Sequence, residues 1–287
     1  MIKLFPNGDI HGHRIPSRIL KINQINMEET TSKKRKSGTK EWSDKSINFI
    51  TGCPHDCLYC YQNCSEVRYK GRDPKNWKNE VVREKDLMKR IPKHKSMVMF
   101  PSSHDITPNH LSDSIKMLGN ILKSGNSVLV VSKPHSECIS KICEVFTDYK
   151  DKILFRFTIG SLDSSVLKFW EPGSTSFEER LECLKLCYQQ GYQTSVSMEP
   201  LLDTNVDGLV DILSPWVTET IWIGKPNYLL YRVKMNGHGD IETLHKCNEL
   251  LGWLNDPNFI QELYSKYKDN PMIRFKESFR LDFEKLN

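Results

Sequence analysis

From residue 46 onward, short apolar runs alternate with amphipathic ones, and no other feature restricts the fold as much. The β-like runs are 46–51, 96–100, 127–132, 153–159, 193–198 and 220–224, each rich in Val, Ile, Phe or Met. That composition suits parallel strands covered on both faces. Stretches of helical period lie between them: 111–123, closing near Gly125, then 135–146 after Pro134, 177–190, 207–213 and 241–254. In 177–190 the residues Phe177, Leu181, Leu184 and Cys187 share one face, and Gly191 marks the end. A seventh run, 272–279, reads as a further strand. Such alternation predicts repeated βα units around a parallel sheet. Six units fall short of a complete barrel, so the expected α/β fold is a partial, TIM-like (β/α)6 barrel, with an open doubly wound sheet as the alternative. No fixed-period repeat or long linker interrupts 46–287, which is expected to form one domain, with 1–45 an N-terminal extension packed on it.

The 287 residues are 38% hydrophobic and 27% charged, a globular composition rather than a disordered one. No run approaches the roughly 18 apolar residues of a transmembrane helix. The first residues lack an apolar signal region, so a cytoplasmic protein with no membrane partner is expected. The net charge of +5 hides an asymmetry: residues 1–100 carry 21 Lys and Arg against 11 Asp and Glu, while the remainder is net acidic. This fits a nucleic-acid surface or a basic entrance to the site of an anionic substrate. The run Lys33-Lys34-Arg35-Lys36, flanked by Thr, Ser and Gly, reads as a solvated segment rather than a phosphate patch.

Nine cysteines, an odd number without a secretory signal, argue against disulfide stapling. Three of them fall in one loop directly after the first β-like run, Gly52-Cys53-Pro54-His55-Asp56-Cys57-Leu58-Tyr59-Cys60. Thiolates at this C-x3-C-x2-C spacing can hold three irons of a 4Fe–4S cluster and leave the fourth open. Gly52 and Pro54 suit the turn that gathers the sulfurs. Two alternatives stand at this level. Cys64 can complete a four-thiolate zinc site, although such sites usually pair two knuckles from separate segments. A ferredoxin-type electron carrier is the other, although its ligand runs differ. Cys138, Cys143, Cys183, Cys187 and Cys247 read as core thiols, and Phe157 and Trp222 as core aromatics. His11 and His13 read as ordinary polar residues, with Arg14 and Arg18 as candidates to close the site.

Through this motif, the aromatic Tyr59 before its last cysteine, and its place after the first strand of a βα series, the chain resembles the radical S-adenosylmethionine (SAM) superfamily. The resemblance implies that Cys53, Cys57 and Cys60 ligate a 4Fe–4S cluster whose unique iron binds the amino and carboxylate groups of SAM. An electron donor such as flavodoxin or ferredoxin reduces the cluster, and SAM is cleaved to methionine and a 5′-deoxyadenosyl radical that abstracts hydrogen from substrate. Tyr59 lies near the adenine or packs in the core. The family's Gly-Gly-Glu-like stretch after strand two is replaced here by Phe100-Pro101-Ser102-Ser103-His104-Asp105. Ser102 and Ser103 are the expected acceptors for the SAM ammonium, while His104 and Asp105 serve the substrate or fix the loop. Lys133, beside Ser132 at the end of strand three, is expected to pair with the SAM carboxylate. Thr158, Ser161 and Ser197 are candidates for the same group or the ribose. Glu199, ending strand five, is expected to accept hydrogen bonds from a guanine-like base or to bind the ribose, the plain alternative being a capping or salt-bridging role.

Lys133 and the Gly-Cys-x-His-x-Cys-x-Tyr-Cys-Tyr form of the loop look like the spore photoproduct lyase branch. The chain as a whole is most similar to queuine lyases, which release a 7-aminomethyl-7-deazaguanine for queuosine salvage. That likeness implies carbon–nitrogen bond cleavage in a small-molecule substrate whose 7-deazaguanine base faces Glu199 or Asp105. No second Cys-rich segment for an auxiliary cluster and no recognisable RNA-binding module is present, so a small molecule is expected over a folded RNA. Two rival readings remain: a DNA-repair lyase whose basic first hundred residues grip phosphate, and a non-catalytic metal-binding module.

Overall fold

The structure, a computed structural model, describes residues 36–285. The strands are β1 (Lys45–Ser46), β2 (Ile50–Thr51), β3 (Val81–Val82), β4 (Val98–Phe100), β5 (Val128–Ser132), β6 (Ile153–Thr158), β7 (Gln193–Met198), β8 (Ile221–Ile223) and β9 (Ile273–Phe275). Seven of them form one parallel sheet in the order β1-β4-β5-β6-β7-β8-β9, and β2 pairs antiparallel with β3. Sequential order with every neighbour parallel is the topology of repeated βα units, and the sheet is a partial TIM-like barrel.

The helices are α1 (Tyr61–Lys70), α2 (Glu84–Leu87), α3 (Leu111–Lys123), α4 (Ser136–Val145), α5 (Ser164–Trp170), α6 (Phe177–Gln189), α7 (Val206–Leu213), α8 (Leu229–Met235), α9 (Ile241–Leu254), α10 (Pro257–Tyr267) and α11 (Glu277–Phe283). Several of their starts follow ordinary capping chemistry. Ser176 accepts from the Glu179 amide at α6, and Asp240 accepts from that of Thr243 at α9. Asp256 caps α10 with Pro257 in its first turn. Among the described residues no helix is long and apolar enough to cross a membrane.

Strand alternation sorts the side chains. In β6, Phe155 and Phe157 join the main core under the helices, while Leu154 packs with Met99 and Leu129 inside the sheet's curve. Arg156 lies on that inner side too, its guanidinium over the rings of Trp42 at 5.0 Å and Trp222 at 5.4 Å. Its Nε donates to Ser195 Oγ at 2.9 Å, and burial pushes its pKa down to about 10. Trp222, expected in the core, is half-buried on this inner side and stacks on cations there. The thiols Cys138, Cys143, Cys183, Cys187 and Cys247 are all buried.

Two expected strands differ in the structure. The run 46–51 is divided, because only Ser46 and its neighbours stay with β4. After Ile47 donates to the Met99 carbonyl, the chain turns away and β2 joins β3. Arg83 fixes that departure by donating to the carbonyls of Asn48 and Ile50. The run 272–279 is a strand only through Phe275. Phe275, Phe279 and Phe283 then recur every fourth residue and pack on one another, so helical packing wins the second half. Of the extension, residues 1–35 lie outside the described residues, and with them His11, His13, Arg14, Arg18 and most of the basic run.

Candidate functional site

The C-terminal ends of β4 to β7 open onto a cavity of about 460 Å³, where barrels of this kind carry their sites. Cys53, Cys57 and Cys60 all line it. Their loop is held from several directions. The Cys53 amide donates to the Trp77 carbonyl at 2.9 Å, and that of Leu58 to Trp170 at 2.9 Å. Asn236 Nδ2 donates to the carbonyls of Leu58 (2.9 Å) and Cys60 (3.0 Å). Gly52 sits at φ +101°, and a Cβ there would lie 2.2 Å from the Asn79 carbonyl oxygen. Gly173 donates to the His55 carbonyl, and its own Cβ would fall 1.9 Å from the Pro54 carbonyl oxygen. The loop therefore reaches its shape through backbone contacts that admit no side chain at two points.

Burial pushes the Cys53 and Cys60 thiols upward and that of Cys57 to about 12, so metal charge is needed to make them thiolates. Cys64 is buried and off the cavity wall, which removes the fourth ligand of the zinc alternative. Among the described residues no three Cys, His, Asp or Glu donors converge on the position of one metal ion. Three thiols of one loop that line one cavity suit a four-iron cluster, which gives each thiolate its own iron.

Asp105 ties this loop to the end of β5. Its Oδ1 accepts from the Ile106 amide at 2.8 Å and from the Ser132 hydroxyl, and its Oδ2 accepts from the Lys133 amide at 2.9 Å. His55, buried between Cys53 and Cys57, approaches Asp105 with Nδ1 at 3.2 Å, and its Nε2 meets His135 Nε2 at 2.8 Å. Burial opposes the Asp105 charge, but His55 and these donors outweigh it and hold the carboxyl well below the usual range. His104 spends both ring nitrogens on backbone: Nδ1 meets the Asp105 carbonyl at 2.9 Å, and Nε2 accepts from the Phe49 amide at 3.4 Å. Burial pushes its pKa down to about 4, in keeping with a neutral ring.

A second network holds Tyr59. Its hydroxyl donates to Glu171, whose other oxygen pairs with Arg180, and neither charged partner is exposed. Arg180 also donates to the carbonyls of Thr158 and Thr175, linking the cluster loop to the end of β6. Burial opposes the charge on Glu171, but Arg180 and then Lys133 outweigh it and hold the carboxyl below its ordinary value. Lys133 lies over the Tyr59 ring at 5.8 Å with its ammonium toward the cavity.

Across the cavity, Glu199 Oε2 meets Lys276 Nζ at 3.1 Å. The Lys276 side chain is 1% exposed, and its ammonium also reaches the Gly38 carbonyl at 2.6 Å and Glu41 at 3.2 Å. Burial raises the Glu199 carboxyl and Lys276 pulls it back.

Of the residues singled out in the sequence, Cys53, Cys57, Tyr59, Cys60, Ser102, Ser103, His104, Asp105, Ser132, Lys133, Thr158 and Glu199 all line the cavity. Ser161 and Ser197 do not. Ser161 Oγ donates to Asp203 at 2.9 Å and accepts from the Asp163 amide, and the Ser197 hydroxyl is buried without a partner among the described residues. The Ser102 carbonyl already accepts from the Tyr61 hydroxyl, and its own hydroxyl accepts from Asn48 Nδ2. His55, Glu171 and Arg180 were missed. Their partners lie up to 112 positions away, and only His55, standing inside the cysteine loop, carried a local signal.

Residues 47–214 match the radical SAM superfamily, and the chain belongs to it. Members use a 4Fe–4S cluster and SAM. Among curated relatives, the chain is 25% identical over 179 residues to an uncharacterised protein, ORF301, of Acidianus two-tailed virus. It is 26% identical over 165 residues to the uncharacterised protein MJ0683 of Methanocaldococcus jannaschii. These alignments cover 58% and 56% of this chain, and 59% and 61% of the relatives, so the chain spans about three-fifths of their length. Of solved structures, a spore photoproduct lyase variant superposes with a TM-score of 0.51 at 15% identity, over 85% of this chain and 79% of that one. Streptococcus suis SuiB bound to its precursor peptide SuiA does so with 0.51 at 11% identity, over 99% and 60%. At these identities the likeness is one of fold.

Proposed function

We propose that this chain is a radical SAM enzyme acting on a small, base-like substrate, and that its cavity holds cofactor and substrate side by side. One observation carries the reading: the three cysteines and Glu199, which is paired with the buried Lys276, face the same cavity, about 460 Å³ in volume. That is room for small molecules and not for a duplex. Bound there, the cluster and SAM supply a carbon radical that abstracts hydrogen.

The chain's own groups divide the remaining work. Cys53, Cys57 and Cys60 hold the cluster. Lys133, held charged against burial by Cys57 and then by the Glu171 and Asp105 carboxylates, takes the SAM carboxylate, and Tyr59 forms the wall beside it. Ser102, Ser103 and Thr158 offer polar contacts, while Ser132 and Asp105 act through the backbone of the loops they join. His104, with both nitrogens occupied, is a positioning residue. Glu199 faces the substrate. Its Oε1 makes no hydrogen bond or ion pair among the described residues and can accept from an amide-like N–H edge.

A 7-deazaguanine such as queuine presents that edge, and release of its aminomethyl base is the lyase reaction we favour. A ferredoxin or flavodoxin supplies the electron, and nine free cysteines suit a reducing cytoplasm. The test is incubation of reconstituted, reduced protein with SAM and queuine. Release of 7-aminomethyl-7-deazaguanine in step with 5′-deoxyadenosine supports the lyase. 5′-Deoxyadenosine that forms at the same rate without queuine, and no base release, removes this substrate and leaves the enzyme class.

A further inference from the structure

The cations of the cavity are not all accounted for by its own acids. Asp105 and Glu199 line it, and both are engaged, by His55 and backbone amides and by Lys276. Lys225 is engaged as well, by Asn255 at 2.9 Å and by Asp282. Lys133 and Arg232 line the same cavity, and among the described residues neither side chain makes a hydrogen bond or an ion pair. SAM carries one carboxylate. On the reading above Lys133 takes it, and Arg232 is left with no anion.

The surroundings of Arg232 are built to keep it available. Its guanidinium is half-buried, 5.9 Å from the ring centres of both Tyr61 and Tyr228. Ring faces position a guanidinium without consuming any of its N–H donors. Tyr61 is pinned by its hydroxyl to the Ser102 carbonyl. Tyr228 is 78% exposed and sits at φ +55°, ψ +39°, a left-handed conformation uncommon for an aromatic residue. Neither burial nor a side-chain hydrogen bond explains that conformation; the contact with Arg232 is what the ring makes there. Arg232 and Glu199 line the same cavity, so a ligand reaching Glu199 with one end can reach Arg232 with the other.

We infer that Arg232 is a specificity residue that binds a phosphate carried by the ligand, so that a base recognised at Glu199 is held more tightly with a phosphate attached than without one. A planar guanidinium with open donors and no carboxylate matches phosphate in fork geometry. Lys40, exposed and lining the same cavity, adds to the attraction. This rests on the cavity reading proposed above, and the phosphate has two possible sources, a free nucleotide or a nucleic-acid strand.

The test uses the full chain, anaerobically reconstituted and saturated with SAM, titrated calorimetrically with guanosine, guanosine 5′-monophosphate and an oligothymidylate strand. The expected result is that the monophosphate binds about tenfold or more tightly than the nucleoside. Arg232→Gln erases that advantage while guanosine and SAM affinities stay within about twofold, and Arg232→Lys restores part of it. An Arg232-dependent affinity seen only with the strand keeps the phosphate site and assigns its source to nucleic acid. No phosphate advantage in the parent protein, or one that survives Arg232→Gln, overturns the inference. So does a loss of SAM affinity in Arg232→Gln, which returns Arg232 to the cofactor. Failure of the underlying reading registers separately, as absence of 5′-deoxyadenosine from the parent protein.

Discussion

The two walls of the cavity are built on opposite principles. On the cysteine-loop wall nearly every polar group is paired within the chain: Asp105 with Ser132, His55 and two amides, Tyr59 with Glu171, and Glu171 with Arg180. On the wall carried by α8 a guanidinium stands between two tyrosines without a hydrogen bond among the described residues. Buried polar groups are costly unless satisfied, so the first wall is rigid before any ligand arrives. The second keeps its donors open. The difference teaches where chemistry is fixed and where selectivity resides: a reactive cofactor needs pre-organised placement, whereas a substrate contact is completed by the substrate.

If the first wall is the cofactor wall, its ligands tolerate no replacement. Cys57→Ala is expected to lower 5′-deoxyadenosine formation by at least about a thousandfold, with loss of cluster absorbance. Cys64→Ala, one helical turn on and off the cavity, stays within about twofold of the parent. Iron and sulfide analysis of the two variants checks this, and equal losses would break the division between Cys64 and the other three.

That contrast was legible in the chain itself, because a cluster loop is local: four residues of spacing and then three decide it. The same holds for the βα alternation, whose period is written in neighbouring residues, and the helices 111–123 and 241–254 match to the residue. The networks of the first wall were not legible. Tyr59 meets Glu171 112 positions away, and nothing in either neighbourhood announces the other. The departure of the chain after Ile47 was equally hidden, since Asn48 to Thr51 read as a continued strand until Arg83 is seen to take their carbonyls. The helix α11 was legible in the spacing of Phe275, Phe279 and Phe283, but a β-like composition drew the reading toward a strand.

The rigidity of the first wall has its own signature in pH. His104 has a folded pKa depressed from 6.5 to about 4 by burial. It folds neutral and must stay neutral while the unfolded chain takes up a proton. Its contribution is therefore full above pH 6.5 and is lost as pH falls toward 4, by about 3 kcal/mol. Urea unfolding of the parent and of His104→Gln at several pH values checks this; the variant should lack that part of the slope. Parallel curves would mean that the ring is solvated and the wall looser than described.

A smaller effect is expected across the cavity. Glu199→Gln keeps the shape and removes the charge, so substrate affinity should fall about tenfold while SAM affinity changes by less than about twofold. Titration of the reconstituted variant with each ligand separates the two. Equal losses would merge the walls into one cofactor site.

The most direct measurement is 5′-deoxyadenosine formation from SAM by the anaerobically reconstituted, chemically reduced parent protein, with iron and sulfide quantified in the same sample. The account predicts a cluster of four irons and four sulfides and cleavage of SAM that disappears in Cys57→Ala. A protein that carries the full cluster and binds SAM but leaves it intact would contradict it.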